Sequence, residues 1–207
     1  MIIQRYGDYF LKISAGEKTI GVNPISKESN LSNTRFGADV TLIQAHHPDM
    51  NGVELMMGKE GTFVIKGPGE YEIQDIFVKG FGVPTKYDGQ EGVTTIYSVL
   101  FDQINVVILG PVVGTEIPES AAEELYSADI IFVPISGGNT LEADEAFKMI
   151  KKFSPRIVIP LAHDKASLDA FVSNFGESAK AEEKITLKKK DVEGEQMDVM
   201  VLKDLSK

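Results

Sequence analysis

Cysteine is absent from this chain of 207 residues, and so is tryptophan. The first absence removes disulfides, thiolate zinc sites, iron–sulfur clusters and a cysteine nucleophile together. Histidine is scarce: His46, His47 and His163 are all there is for imidazole chemistry. Positive charge is in deficit, with 21 basic residues against 31 acidic ones and a net charge of -10. A surface of that sign repels phosphate backbones and anionic lipids, so neither nucleic acid nor membrane is an expected partner. Long apolar runs are missing as well. The stretch from Val106 to Val113 is broken by Gly110 and Pro111 and is far too short to cross a bilayer. No basic segment leading into an apolar core opens the chain, so no secretion signal is expected and a cytoplasmic location is the default.

What is present is enough apolar material, 43% of residues, to offset the entropy of ordering a chain of this size. Residues 1–207 therefore read as a single globular domain that needs no metal or disulfide to fold. The first half reads as short strands between turn residues. Tyr9 to Ile13 alternates, turns at Gly16 and Glu17, and returns as Thr19 to Val22, a hairpin that Asn23 and Pro24 end. Lys27 to Gly37 is polar and reads as a loop. Val40 to Ile43, Thr62 to Ile65, Ile76 to Phe81, Thr94 to Leu100 and Asn105 to Leu109 are further strands.

In the second half, helical patterns alternate with strands. Thr115 to Ser127 carries Pro118 at a first helical position. Thr140 is placed to cap a helix with acids in its first turn and lysines in its last, buried through Ala143, Phe147 and Ile150 and stopped at Ser154-Pro155. Leu168, Phe171, Val172 and Phe175 mark a third helix, stopped by Gly176. Ile130 to Pro134 and Ile157 to Pro160 are apolar throughout, as strands buried on both faces are. Ile185 to Leu187 returning as Met197 to Leu202 reads as a closing hairpin. One internal echo stands out: Ala38-Asp39-Val40-Thr41-Leu42-Ile43 resembles Ala128-Asp129-Ile130-Ile131-Phe132-Val133.

Chemistry concentrates in Gln44-Ala45-His46-His47-Pro48-Asp49-Met50, directly after a strand. Imidazole and carboxylate there offer lone pairs to a divalent ion, or form a polar loop with solvated histidines. Ser136-Gly137-Gly138-Asn139-Thr140 precedes a helix and could present amides to an anion, or simply bend and cap. Glu70 and Glu72 share a strand face, as an acid–base pair would, although the glycines around them also suit a sharp structural turn with Tyr71 packed beneath. Dinucleotide, P-loop and nucleophile-elbow signatures are lacking.

In order, the chain shows Val22-Asn23-Pro24, Ala38-Asp39-Val40 leading into the histidine segment, and Gly67-Pro68-Gly69-Glu70-Tyr71-Glu72. Leu109-Gly110, Val133-Pro134-Ile135-Ser136-Gly137-Gly138 and Ile159-Pro160-Leu161 follow. The series resembles the metallo-β-lactamase fold superfamily, in its short branch of predicted zinc-dependent hydrolases. The resemblance implies an α/β fold, a four-layer αββα sandwich of two mixed sheets with helices on the outer faces and any metal at one edge between the sheets.

It also implies a ligand pattern, His-x-His-x-Asp-His after a strand, then another His, an Asp after a Gly, and a final His after the strand ending in Ile-Pro. Matched residue by residue, Ala45 stands for the first His, His47 and Asp49 match, and Met50 replaces the third His. Val83 to Asp88 supplies no histidine, Pro111 replaces the bridging Asp, and Ala162 stands for the final His with His163 one place late. Asn23 occupies the place of an Asp, and Asp8 one where the branch often has His. The pattern calls for more histidines than this chain owns. The expectation is a metallo-hydrolase relative that has lost its dinuclear zinc site, needs no cofactor, and binds an unidentified protein or small molecule without catalysis. The alternative is a hydrolase of phosphodiester, ester or lactone bonds that holds one zinc or other divalent ion on His47, Asp49 and His163. There His46 is in reserve and Asp49 is ligand or catalytic base. Whether the chain is an enzyme, and whether it oligomerises, stay open at this level.

Overall fold

The computed structural model describes residues 1–58, 60–135, 140–161, 164–176, 179–194 and 196–206. The chain divides into two compact units, residues 1–67, 182–188 and 202–207 in one, 68–181 and 189–201 in the other. The first unit carries β1 (Ile2–Arg5), β2 (Leu11–Ala15), β3 (Lys18–Val22), β4 (Val40–Leu42) and β5 (Phe63–Ile65), side by side in chain order. Strands β1 to β3 form an antiparallel meander, and β4 and β5 add in parallel.

The second unit repeats that plan. Strands β6 (Gly69–Ile73), β7 (Ile76–Tyr87), β8 (Gln90–Phe101) and β9 (Ile104–Ile108) run antiparallel, then β10 (Ile130–Pro134) and β11 (Ile157–Leu161) add in parallel. Helix α1 (Glu119–Tyr126) lies between β9 and β10, α2 (Ala143–Phe153) between β10 and β11, and α3 (Lys165–Ser173) after β11. Two mixed sheets with few helices match the α/β architecture that the sequence resemblance implies, with all three described α-helices in the second unit.

The sequence echo is a repeated fastening. Asp39 precedes β4: its amide donates to the Thr19 carbonyl (2.8 Å), and its carboxylate accepts from the Thr19 amide (2.7 Å). Its carbonyl also takes the Phe63 amide (2.8 Å). Asp129 precedes β10 and does the same with Asn105 (2.9 and 2.8 Å) and Ile157 (2.9 Å). Each aspartate thus joins three strands where two parallel pairings begin. Lys189 adds a further ion pair to Asp129 at 2.9 Å.

Packing follows the apolar pattern. Every residue of β10 and β11 is buried. Leu125, Ala146, Met149, Ile150 and Phe171 from the helices share one core with Val107, Ile131, Val133 and Val158 from the strands. In the first unit Phe10, Ile25, Ala38, Leu55 and Met56 cluster with Tyr6 and Phe36. There the Phe10 and Phe36 rings stack at 5.5 Å, and a short 3-10 turn, Val53–Leu55, supplies Leu55.

Several elements differ from their sequence reading. Strand β1 is missed, being four residues with one buried side chain. Strands β7 and β8 each run 12 residues, because register continues past Phe81 to a tight turn at Asp88-Gly89. That turn and those at Gln74-Asp75 and Asp102-Gln103 have positive φ at both central residues, as two-residue hairpins require, yet two of them contain no glycine to announce it. Helix α1 starts at Glu119 with Pro118 as its cap. Helix α2 is capped by Glu142 in a reciprocal box with Glu145, two residues past Thr140.

The closing hairpin is not formed. Instead β13 (Ile185–Thr186) pairs with β1, β14 (Asp198–Val199) with β11, and β15 (Val201–Leu202) with β12 (Ala181–Glu182). Strands β13 and β14 each extend the edge of a larger sheet, while β12 and β15 make a small sheet of their own.

Asp39→Ala and Asp129→Ala are expected to lower unfolding free energy by about 1–3 kcal/mol each, since a strand amide loses its acceptor. The Asn variants, whose side-chain oxygen still accepts, are expected to lose less. Urea titration followed by circular dichroism measures this, and unchanged midpoints in the Ala variants would refute the fastening role.

Candidate functional site

The histidine segment leaves β4 and is tied to the loop after β3 by main-chain bonds. The Ser26 amide donates to the Pro48 carbonyl (2.8 Å) and the Gly52 amide to the Pro24 carbonyl (2.7 Å). Gly52 has no alternative residue at this crossing, because a Cβ would sit 2.5 Å from the Ile25 carbonyl oxygen. Within the segment, the His47 amide donates to the Ala45 carbonyl and the Met50 amide to the His47 carbonyl.

Beneath the loop lies a buried amide pair. The Asn23 side-chain nitrogen donates to Gln44 Oε1 (2.7 Å) and approaches the Tyr9 carbonyl at 3.5 Å, while the Gln44 main-chain amide donates to Asn23 Oδ1 (2.9 Å). Both residues are buried. Asn23 holds a left-handed φ of 50°, which asparagine tolerates better than most side chains. A neutral amide thus occupies the position before Pro24 where the resemblance leads one to expect an Asp.

His47 and Asp49 are brought together, and both are partly buried. His47 Nδ1 lies 3.4 Å from Asp49 Oδ2 and accepts the Asp49 main-chain amide at 3.2 Å. The other carboxylate oxygen takes the Ser29 hydroxyl at 2.5 Å. His46 is exposed, Ala45 half-buried, and Met50 fully buried in the core, where its thioether packs as a hydrophobe.

In the second unit Val83 is buried, and Thr85, also buried, donates its hydroxyl to the Pro111 carbonyl. His163, Ala162 and residues 136–139 of the Ser-Gly-Gly-Asn loop lie outside the described residues. Glu70 and Glu72 are exposed on β6, opposite Lys79 and Phe77. Tyr71 folds back over Gly69, its hydroxyl donating to the Pro68 carbonyl at 3.3 Å, and a Cβ on Gly69 would meet that hydroxyl at 2.8 Å. The Gly-Pro-Gly-Glu-Tyr-Glu stretch is therefore a shaped entry into strand β6. Among the described residues no group of three His, Asp or Glu side chains is placed to hold one ion. Positions 45, 50 and 111 offer alanine, methionine and proline, so these residues do not fit a dinuclear zinc centre.

A model of the β-lactamase superfamily domain matches residues 3–162. The chain belongs to that superfamily. Its solved relatives agree in fold. A protein from Thermotoga maritima, titled as a Zn-dependent hydrolase of the metallo-β-lactamase superfamily, is 20% identical and superposes with a TM-score of 0.77 over 98% of both chains. A metal-dependent hydrolase, so titled, from Parabacteroides distasonis is 19% identical, with a TM-score of 0.65 over 97% of this chain and 91% of that one. A metallo hydrolase from Ignicoccus hospitalis is 18% identical, with a TM-score of 0.61 over 84% and 89%. No curated relative matches the chain. Sequence reasoning noted Asn23 at the place of an Asp but missed its partner, Gln44, which no local pattern announces.

Asn23→Ala is expected to cost about 1–3 kcal/mol by orphaning the buried Gln44 groups. Asn23→Asp is expected to destabilise at neutral pH, because a buried carboxylate replaces the donor to Gln44 Oε1 and the Tyr9 carbonyl. Burial raises such a carboxyl, so the loss should shrink as pH falls through the carboxylate range. Thermal melts at pH 7 and pH 4 test both.

Proposed function

We propose that this β-lactamase-superfamily protein has lost the dinuclear zinc centre of its hydrolase relatives and works as a non-catalytic binding or interaction protein. The observation that carries the reading is the use made of the inherited positions. Met50 is core, Pro111 has no donor side chain, and Asp49 is engaged by Ser29. A catalytic zinc needs about three protein ligands and an open position. The ligand of the present protein is a protein or small molecule of chemistry other than nucleic acid, in keeping with the net charge of -10.

One observation favours the second reading, a hydrolase with a mononuclear site on His47, Asp49 and His163: the imidazole and carboxylate of His47 and Asp49 are already adjacent at 3.4 Å. Metal content after dialysis against zinc, manganese or iron separates the two. The expected result is substoichiometric metal, unchanged in a His47→Ala, His163→Ala double variant, with no turnover of bis-nitrophenyl phosphate. Stoichiometric metal that the double variant loses, accompanied by turnover, would establish the hydrolase instead.

A further inference from the structure

The sheet face that carries α1 is left open along the β6 end of the sheet. Phe77 on β7 and Leu100 on β8 stand directly opposite each other there, 43% and 45% exposed. With Lys79, Ser98, Asn105 and Glu124 they line a depression of about 330 Å³, a volume at the small end for ligand sites. Its floor is apolar, and its polar wall is already braced. Ser98, itself buried, donates to one oxygen of Glu124 at 2.7 Å, and Lys79 donates to the other at 2.7 Å. Asn105 gives its amide to the Ser127 carbonyl and hydroxyl.

The charge around the floor is one-sided. Lys79 is held in its charged form, its pKa raised first by the hydrogen bond it donates to Glu124 and then by that carboxylate's field, with Glu70 and Glu123 adding to it. The Lys79 charge offsets that of Glu124 across this ion pair. Glu70 stands opposite Lys79 and Glu72 opposite Phe77 in the β6–β7 register, both exposed, and Glu123 is exposed on α1. An apolar floor rimmed by this excess of carboxylates repels anions and gives a neutral apolar molecule no added attraction. A cation gains both the burial of its apolar body and the field of the rim, and its charge can also lie over the Phe77 ring.

We propose that this depression is a binding site for a small amphipathic cation: a protonated amine on an apolar body about the size of an aromatic side chain. The body rests on Phe77 and Leu100 and the ammonium faces Glu70 and Glu72. The site is independent of the histidine segment and of whether the chain binds metal.

The test is a titration of the isotope-labelled full chain with tryptamine, beside its neutral and anionic counterparts tryptophol and indole-3-propionate, read from the NMR signals of Phe77 and Leu100. Saturable shifts are expected with tryptamine, with binding at least about fivefold tighter than tryptophol and none for the acid. Leu100→Ser should abolish the shifts at Phe77, and Phe77→Ser those at Leu100, with melting temperatures near the parent value because both positions are exposed. Glu70→Gln with Glu72→Gln should erase the preference over tryptophol. Equal binding of amine and alcohol, shifts that do not saturate, or binding that survives both Ser variants would overturn the proposal. So would a silent tryptamine titration in which a basic peptide shifts the same residues.

Discussion

Register in both sheets depends on one local device, an aspartate at the head of the first parallel strand. A parallel strand has no hairpin to place it, so its start must be set by something other than a turn. Asp39 and Asp129 do this by clasping one residue of the preceding strand through main chain and side chain together. They also receive the first amide of the next strand. A slip of one residue would break all three bonds and turn the apolar residues of the strand to the wrong face. The two halves share this device although they differ in everything placed between the strands, helices in the second and a histidine loop with a 3-10 turn in the first.

Much of the fold was legible because it rests on pattern. The continuous apolar runs at Ile130 and Ile157 could hardly be anything but buried strands, and the acid-to-lysine order of α2 located that helix to within a few residues. What escaped notice was decided by partners far along the chain. Strand β1 has little pattern of its own and exists because β2 and β13 flank it. The turns at Gln74-Asp75 and Asp102-Gln103 use left-handed residues without glycine, so composition gave no hint of them. The supposed final hairpin failed because two-residue segments carry too little information to choose a partner.

The candidate site was legible in a different sense. Missing donor types at positions 45, 50 and 111 can be read directly from the chain, and the structure adds what the replacements do. Met50 lies in the core, while Asn23 and Gln44 exchange hydrogen bonds as neutral amides. The loop is pinned by main-chain bonds at Ser26, Pro48 and Gly52 and by side-chain bonds from Ser29 to Asp49 and from the Asp49 amide to His47.

Strand β6 ends the larger sheet, and an open strand edge invites strand-by-strand growth between molecules. Its five residues carry Glu70 and Glu72 on one face with Gly69 at the start. Two copies meeting edge to edge in antiparallel fashion would set carboxylates close to carboxylates, in a protein already at -10. The acidic composition thus has a colloidal side: charge of one sign along a sheet border opposes strand-by-strand stacking of copies there.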